Sequence, residues 1–325
     1  MIVAVTGSTG FVGQHLTKYL EQTGIQTIRV GRASGPSVDR AVGDFASTTD
    51  FADALAGADA VIHLANRAHV MNETVADPEA EYDRINHLAT AKLARDAVRA
   101  GLRRFVFVSS IKVNGETATE AQPFRADDEP APTDAYGRSK LAAERALAKI
   151  AQETGLEVVV IRPPLIYGPG VKANFAALIE SVLSGSSLPR LFGAAENPRA
   201  MIDVGLFSEA LVRTVRHPKA SGRTFLVADP VILPLNQLIR ELFRASGRDE
   251  PLFPVPTVLL RMAGLLTGQG ERIRRLLDPL SIEQSEFFRF MQWHPDKGHD
   301  LERTVAWFRN HISGTGIRSA RQKVV

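Results

Sequence analysis

The chain has 325 residues, of which 44% are apolar, and its formal net charge is +3. This length accommodates one large α/β domain or two ordinary ones, and the apolar fraction suffices for a sizeable core. The small net charge gives no argument for nucleic acid as a partner. The absence of cysteine excludes disulfides, thiolate catalysis and cysteine-ligated metals, and we predict no metal site.

The sequence carries no sign of a targeting or membrane segment. No charged region followed by an apolar stretch precedes the first apolar run, so we expect no signal peptide. No uninterrupted apolar run approaches the roughly 18 residues that indicate a membrane-spanning helix. We therefore predict a soluble cytoplasmic protein with no integral membrane segment, with peripheral membrane contact through the short apolar stretch 258–266 as the open alternative.

The chain begins with a predicted strand, a glycine-rich turn and a predicted helix. Residues 1–5 are an apolar run typical of a buried strand, and residues 14–20 have apolar positions at helical spacing. Between them, Gly7, Gly10 and Gly13 follow the pattern G-x-x-G-x-x-G. Free N–H groups and the dipole at a helix start attract a pyrophosphate, and glycine lets the backbone approach it closely. The turn therefore predicts a dinucleotide site, the alternative being a plain glycine-rich turn.

The second predicted strand, 27–30, ends at the position where dinucleotide-binding folds select the ribose. An acid there binds the 2′-hydroxyl of NAD, whereas an arginine suits the 2′-phosphate of NADP. Gly31 and Arg32 stand there with no acid, so we favour NADP(H), with NAD(H) as the alternative; Arg32 is otherwise a solvated loop charge. Asp44, followed by Phe45, is a candidate for the adenine edge or else a cap of a helix or turn.

Strands and helices alternate as far as residue 161. Strands are predicted at 60–65, 104–110 and 157–161, and helices at 51–55, 79–100 and 136–151. This alternation predicts a Rossmann-type, doubly wound parallel sheet of the α/β class. Asn66 follows the carboxyl end of one strand, where ligands gather in such sheets, while His63 lies inside an apolar run and is interpreted as core.

The regular alternation ends after residues 162–164. We predict a dinucleotide-binding domain over 1–167 and a smaller, mainly substrate-binding lobe over 168–312, with some segments returning to the core and isolated strands such as 224–228. The Gly-, Ser-, Arg- and Lys-rich end, 313–325, predicts a flexible tail.

A tyrosine and a lysine stand four residues apart at the start of a predicted helix, so that their side chains share one face. The phenol of Tyr136 has an ordinary pKa of about 10, and a nearby ammonium lowers it by stabilising the phenolate. Tyr136 and Lys140 therefore suit proton transfer at a sugar or alcohol oxygen while hydride moves on carbon. Ser109 and Ser110 end a strand 26 to 27 residues upstream, where a hydroxyl would hold the substrate oxygen. By itself the pattern Y-x-x-x-K is usually structural; its order with the glycine turn and the serines gives it weight.

These motifs, in this order, resemble those of the extended short-chain dehydrogenases/reductases, which include nucleotide-sugar epimerases, dehydratases and reductases. The resemblance covers about residues 1–215. Its matching segments are the glycine turn, Gly43-Asp44, 63–65, Asn86, 108–110, Tyr136-x-x-x-Lys140, Arg162-Pro163 and 199–204.

The resemblance implies roles for particular residues. Ser110 would be the catalytic hydroxyl, Tyr136 the acid–base and Lys140 the ligand of the nicotinamide ribose. Arg199 would grip the nucleotide-sugar phosphates, unless it forms a surface salt bridge. The implied cofactor contacts are Gly7, Thr9, Gly10, Phe11, Val12, Gly13, Arg32, Asp44, Phe45, Leu64, Ala65, Asn66, Tyr136, Lys140, Pro163 and Ile166. The implied contacts of a UDP-sugar substrate are Ser110, Ile111, Lys112, Tyr136, Asn174 and Arg199.

Two further features concern the partners of the chain. Family members commonly pair through two long helices, which here implies a homodimer with a four-helix bundle from 79–100 and 136–151. Four arginines of the second lobe are also candidate phosphate contacts, although solvated helix charges are the favoured interpretation: Arg244, Arg272, Arg274 and Arg275.

Two departures from the family patterns narrow the choice among the reactions that the family catalyses. The 4,6-dehydratases carry an Asp-Glu pair directly after the catalytic hydroxyl, whereas Ile111 and Lys112 stand here, which argues against dehydratase activity. The UDP-galactose epimerases usually have an acid after the second strand and keep NAD tightly bound, so Gly31 and Arg32 favour a reductase that exchanges NADPH.

The segment 109–116 is similar to bacterial UDP-sugar 4-ketoreductases of surface-polysaccharide pathways, including enzymes that form UDP-N-acetylquinovosamine. We therefore expect a UDP-4-keto-6-deoxy-sugar reductase, with a UDP-hexose 4-epimerase that holds its own NAD as the alternative. A non-catalytic, dinucleotide-sensing protein is the alternative of another class. The presence of Ser110, Tyr136 and Lys140 argues against it, because sensing does not require that set.

Overall fold

The structure, a computed structural model, describes residues 1–46, 48–68, 75–295 and 300–312. The predicted tail, 313–325, lies outside the described residues. The strands are β1 Ile2–Thr6, β2 Gln26–Gly31, β3 Arg40–Ala41, β4 Ala60–His63, β5 Arg104–Val108, β6 Glu157–Arg162, β7 Leu165–Tyr167, β8 Pro198–Arg199, β9 Met201–Asp203, β10 Thr224–Leu226 and β11 Leu233–Pro234. The α-helices are α1 Phe11–Gln22, α2 Ala52–Leu55, α3 Pro78–Tyr82, α4 Ala89–Arg99, α5 Ala135–Thr154, α6 Ala173–Leu183, α7 Val204–Arg216, α8 Leu235–Ala245, α9 Thr257–Leu266, α10 Gly270–Leu277, α11 Ser285–Phe290 and α12 Leu301–Ile312.

Seven strands form one parallel sheet in the order β10-β6-β5-β4-β1-β2-β3. The chain runs outward from β1 in one direction through β2 and β3, and in the other direction through β4, β5 and β6. This reversal creates a crevice at the carboxyl ends of β1 and β4, where ligands bind in sheets of this kind. The predicted Rossmann-type sheet is confirmed.

Apolar layers cover both faces of the sheet. On one face, Leu16 and Leu20 of α1 pack with Phe207 and Leu211 of α7. On the other face, α2, α4 and α5 supply an apolar cluster that includes Leu147. A third cluster joins α6, α8, α9 and α12 around residues that follow β7, and it forms the core of the smaller lobe.

One strand lies elsewhere than the sequence suggested. Residues 224–228 were expected to hold an isolated strand of the second lobe, but β10 pairs with Val160–Arg162 and forms an edge of the main sheet. The reason is burial: Phe225 is 3% exposed and belongs to the same apolar cluster as β6. The boundary between the lobes at residues 167 and 168 stays a prediction.

The predicted helix 79–100 is interrupted by a π-helical segment, Asp83–Leu88. Asn86 lies in this segment, and its buried amide bonds the backbone of Arg67 and the hydroxyl of Ser139. The extra residue in the turn therefore coincides with a polar link between the end of β4 and α5. Among the described residues, none of the helices combines the length and the apolar character of a membrane-spanning segment.

Candidate active site

The glycine turn joins β1 to α1 at the crevice. Gly7 has φ of 71°, a conformation that favours glycine, and its N–H donates to the Val30 carbonyl at 3.2 Å. A Cβ atom on Gly13 would lie 2.1 Å from the Gly7 carbonyl oxygen, so the backbone packs against itself there. Gly10 precedes α1 without a side-chain cap, which leaves the first N–H groups of the helix for an anion. The turn thus fits the pyrophosphate of a dinucleotide.

One large cavity, of about 1180 Å³, runs from this turn along the carboxyl ends of the strands. It exceeds the usual pocket of roughly 300–1,000 Å³ for one ligand, so it has room for a dinucleotide and a second molecule. Its walls include all the residues predicted to contact cofactor or substrate, other than Lys140: Gly7, Thr9, Gly10, Phe11, Val12, Gly13, Arg32, Asp44, Phe45, Leu64, Ala65, Asn66, Ser110, Ile111, Lys112, Tyr136, Pro163, Ile166, Asn174 and Arg199.

Tyr136 lies in the first turn of α5, whose start is fixed by Asp134. The Asp134 carboxylate accepts a hydrogen bond from the Gly137 N–H at 2.7 Å and so caps the helix. One turn later, the Lys140 Nζ lies 5.9 Å from the centre of the Tyr136 ring. The helix therefore presents the phenol to the cavity and keeps the ammonium directly behind it.

Lys140 is buried and does not line the cavity. Its Nζ donates to the Val108 carbonyl at the end of β5, at 2.9 Å, and lies 4.7 Å from the centre of the Phe107 ring. Burial lowers the pKa of Lys140 to about 7, against the opposing charge of Glu144. The contact with a nicotinamide ribose that the resemblance implies stays a prediction.

Ser110 follows β5 and begins a short 3₁₀ helix, Ile111–Val113, in which its Oγ accepts from the Lys112 N–H at 3.2 Å. Burial raises the pKa of the Tyr136 phenol, and a hydrogen bond with Ser110 opposes that rise. At neutral pH the phenol is therefore protonated and able to donate. A hydroxyl, a phenol and an ammonium thus come together at the carboxyl edge of β5.

His63 belongs to the core, as its apolar surroundings in the sequence suggested. Its two ring nitrogens lie 2.6 Å from the Thr6 hydroxyl and 2.9 Å from the Thr90 hydroxyl. Burial, together with the charge of Lys140, lowers the pKa of His63 to about 3. The ring is therefore neutral at physiological pH and does not serve as the acid–base.

Two residues predicted to contact the adenosine half lie in different environments. Arg32 is exposed at the cavity wall after β2. Asp44 also reaches the wall, but its carboxylate forms an ion pair with Arg84 at 2.8 Å. Arg84 in turn bonds Glu81, so Asp44 is partly committed to a surface ion-pair network.

Arg199, on β8, lines the same cavity as the glycine turn. Its Nη1 donates to the Asp278 carbonyl at 2.9 Å, and burial lowers its pKa. It is half-buried and forms no ion pair within the described part of the chain, so the surface salt bridge weighed as the alternative is not found there, and its contact with nucleotide-sugar phosphates stays a prediction. Of the four arginines of the second lobe, Arg272, Arg274 and Arg275 also line the cavity, whereas Arg244 pairs with Glu241 outside it.

A charged cluster beside Ser110 was only partly visible in the sequence. The Lys112 Nζ lies 2.5 Å from the Asp134 carboxylate and 2.8 Å from the Glu116 carboxylate. Burial opposes its charge, yet these two hydrogen bonds raise the pKa of Lys112 overall. The contact between Lys112 and Glu116 could have been predicted, because the two residues stand four positions apart. The contact between Lys112 and Asp134 joins distant positions and has no such pattern in the sequence.

Comparisons with known proteins place the chain in a family. The sequence profile of the NAD dependent epimerase/dehydratase family matches residues 3–228. A curated relative from Vibrio cholerae, named UDP-glucose 4-epimerase, is 37% identical over 298 residues, which are 90% of this chain and 90% of the relative.

Solved structures share the fold. MoeE5, in complex with UDP-glucose and NAD, has a TM-score of 0.74 at 24% identity, covering 96% of this chain and 100% of its own. The UDP-glucose 4-epimerase of Thermotoga maritima, solved with UDP-glucose, has a TM-score of 0.74 at 23% identity, covering 96% of this chain and 100% of its own. The family match over residues 3–228 and the relative from Vibrio cholerae confirm the resemblance inferred from the motifs: the chain belongs to the NAD dependent epimerase/dehydratase family.

Proposed function

We propose that this protein is an NAD(P)-dependent oxidoreductase that acts at C4 of a UDP-hexose. One observation carries the proposal: Ser110 and Tyr136, with Lys140 behind Tyr136, line a single cavity together with the glycine turn and Arg199. The glycine turn is the site suited to the dinucleotide pyrophosphate. Arg199, half-buried and without an ion pair among the described residues, is suited to the diphosphate of a nucleotide sugar.

The residues of the chain divide the chemistry among them. When bound, the nicotinamide exchanges a hydride with the reacting carbon. Tyr136 donates the proton to the C4 oxygen during reduction and removes it during oxidation. Ser110 holds and polarises that oxygen. Lys140 in its charged form stabilises the phenolate that exists after the proton has left.

Two forms of this reaction are supported by different observations. In the first, 4-epimerisation, C4 is oxidised, the sugar turns over and the hydride returns to the other face; the Vibrio cholerae relative named UDP-glucose 4-epimerase supports this form. In the second, a UDP-4-keto-6-deoxy sugar of surface-polysaccharide synthesis is reduced by exchanging NADPH. The second form is supported by Arg32 at the cavity wall and by the similarity of segment 109–116 to ketoreductases.

Dehydratase activity is not proposed. The position two residues after Ser110 is Lys112, whose ammonium is held between two carboxylates. A cation in that place does not perform the proton transfer that the Asp-Glu pair of the dehydratases performs.

One experiment separates the two forms. The purified protein is incubated with UDP-glucose, UDP-galactose and their N-acetylated counterparts without added cofactor, and separately with a UDP-4-keto-6-deoxy sugar and NADPH. Epimers formed without cofactor identify the epimerase, and stoichiometric loss of NADPH identifies the reductase. Absence of both reactions, in protein that binds the dinucleotide, would refute the proposal and favour a dinucleotide sensor.

Assembly and location complete the proposal. We expect a homodimer through a four-helix bundle that contains α4 and α5, and a cytoplasmic location. Light scattering during size-exclusion chromatography measures the mass of the particle. A monomeric mass would contradict the expected dimer.

A further inference from the structure

A buried network lies behind the wall that carries Ser110 and Tyr136. Glu144, one turn beyond Lys140 on α5, accepts hydrogen bonds from the Ser109 hydroxyl at 2.5 Å and from the Arg162 Nε at 3.0 Å. Its other oxygen meets the Arg162 Nη2 at 2.6 Å. The side chains of Arg162 and Glu144 are only 5% and 9% exposed, so this is an enclosed ion pair.

The network reaches the segment that follows Ser110. The Arg162 Nη1 donates to the Asn114 amide oxygen at 3.0 Å, and the Asn114 Nδ2 donates to the Arg125 carbonyl at 2.7 Å. Next to Arg162, the Pro163 carbonyl accepts from the Ile111 N–H at 3.0 Å. The end of β6 therefore holds the short helix after Ser110 at both its start and its end.

The ion pair itself does not line the cavity, although Ser109 does. Replacing a buried ion pair by apolar groups is often neutral or stabilising, so the presence of this pair is weak evidence for a role in stability. Its contacts point instead to a role in positioning the elements of the site. They connect the end of β5, α5, the end of β6 and the 111–114 segment, which are the elements that carry or support Ser110, Tyr136 and Lys140.

Glu144 also acts on Lys140 through its charge. Besides the Val108 carbonyl that it bonds, the Lys140 ammonium has near it Glu144 and Tyr136 on its own helix, Phe107 on β5, and the neutral His63 on β4. Of these, Glu144 is the negative charge that favours the protonated lysine. Arg162 stands on the other side of Glu144 and keeps that carboxylate in place.

We propose that Glu144 and Arg162 are positioning residues for the reaction: without touching the substrate, they hold Ser110 and Lys140 in register with Tyr136, and Glu144 places a carboxylate one helical turn from Lys140. This inference deepens the proposed function and rests on it.

The test is Glu144→Gln, which preserves the shape and removes the charge. The matched control is Glu153→Gln on the same helix, because Glu153 is 41% exposed and pairs with Arg95 on the surface. For Glu144→Gln we expect kcat to fall by about 100-fold, the effect of a small misplacement of reacting groups. KM should stay within about 3-fold of wild type, because no substrate contact is lost.

The pH profile separates positioning from a purely structural role. In wild type we expect activity to decline as the pH rises past the pKa of Lys140, which burial lowers to about 7. Without the Glu144 charge, this limb should move to lower pH. A kcat equal to wild type, or a reduced kcat with an unmoved limb, would overturn the proposal.

Two further measurements cover the other outcomes. If Glu144→Gln does not fold, the double variant Glu144→Met/Arg162→Met, which buries no charge, should fold and remain slow; wild-type turnover in it would overturn the inference. Amide hydrogen exchange of residues 111–114 needs no substrate and should be faster in Glu144→Gln than in Glu153→Gln, equal rates again contradicting the inference. Failure of the wild-type protein to turn over any UDP-sugar would refute the proposed function instead.

Discussion

The Lys140 ammonium lies 5.9 Å from the centre of the Tyr136 ring, on the same face of α5, and is anchored to the Val108 carbonyl. The phenol faces the cavity, whereas the ammonium is enclosed by protein. A charge in that position stabilises the phenolate without competing for the substrate. The predictions for activity follow from this arrangement.

Replacing Tyr136 by phenylalanine removes the proton donor and leaves the shape of the wall. We expect turnover to fall by about 10²–10⁴-fold, the contribution of a general acid–base group, while dinucleotide binding survives. Tyr82→Phe is the matched control, because the Tyr82 ring lies 6.1 Å from the Tyr136 ring but does not line the cavity. Steady-state kinetics and calorimetric titration with NAD(P)H measure the two effects. Unchanged turnover in Tyr136→Phe would remove this residue from the mechanism.

The pH dependence should report Lys140. Burial lowers its pKa to about 7, so the charged form is present below that pH and is lost as the pH rises through it. Since the charged form stabilises the phenolate, kcat should decline on the alkaline side of pH 7 in wild type. In Lys140→Met the rate should be low at every pH and this limb absent. A limb that persists in Lys140→Met would assign it to another group.

The glycine turn has no room for a side chain at Gly13. A Cβ on Gly13 would stand 2.1 Å from the Gly7 carbonyl oxygen, so Gly13→Ala should displace the turn and destabilise the fold by about 2–3 kcal/mol. Dinucleotide affinity should fall with it, because the N–H groups at the start of α1 move. Gly35→Ala is the control, since no atom lies within 4 Å of an added Cβ there. Urea unfolding and calorimetric titration test both expectations, and wild-type affinity in Gly13→Ala would contradict them.

The choice of cofactor should depend on Arg32. Arg32→Asp replaces a partner of the 2′-phosphate with one of the ribose hydroxyl, so the ratio of NADP(H) to NAD(H) affinity should fall by about 10- to 100-fold. Arg145→Asp makes the same charge change at an exposed position of α5 and should leave the ratio unchanged. Titration of each variant with both cofactors gives the ratio. A ratio equal to wild type in Arg32→Asp would show that Arg32 is a solvated loop charge.

Acid should destabilise the fold through His63. Its pKa is lowered to about 3 in the folded protein, against about 6.5 in the unfolded chain, so the unfolded state binds the proton first as the pH falls. The neutral ring makes its full contribution to the free energy of unfolding above pH 6.5. Below that pH the contribution falls, and the loss between pH 7.5 and pH 5 is about 2 kcal/mol. His63→Gln should lessen that decline, whereas the exposed His294→Gln should not. Urea unfolding at the two pH values measures it, and identical declines in wild type and His63→Gln would contradict it.

Much of the fold and of the candidate site could be predicted from short-range patterns in the sequence. The glycine spacing, the apolar runs and the helical repeat of Tyr136 and Lys140 each depend on residues within a few positions of one another. Backbone conformation and side-chain periodicity act over the same short range. For that reason the parallel sheet, the family and the set of residues around the cavity followed from the sequence, although their binding roles remain predictions.

The tertiary structure decided what joins distant segments. It placed β10 beside β6, brought Arg199 into the wall of the cavity, and enclosed the ion pair of Glu144 and Arg162. No local sequence pattern predicts any of these three features, because each depends on which buried surfaces and charges meet once the sheet has formed. The sequence by itself determined which groups the chain owns for hydride and proton chemistry; only the folded chain decided which of them face one another, since burial and electrostatic pairing are properties of the packed sheet and helices.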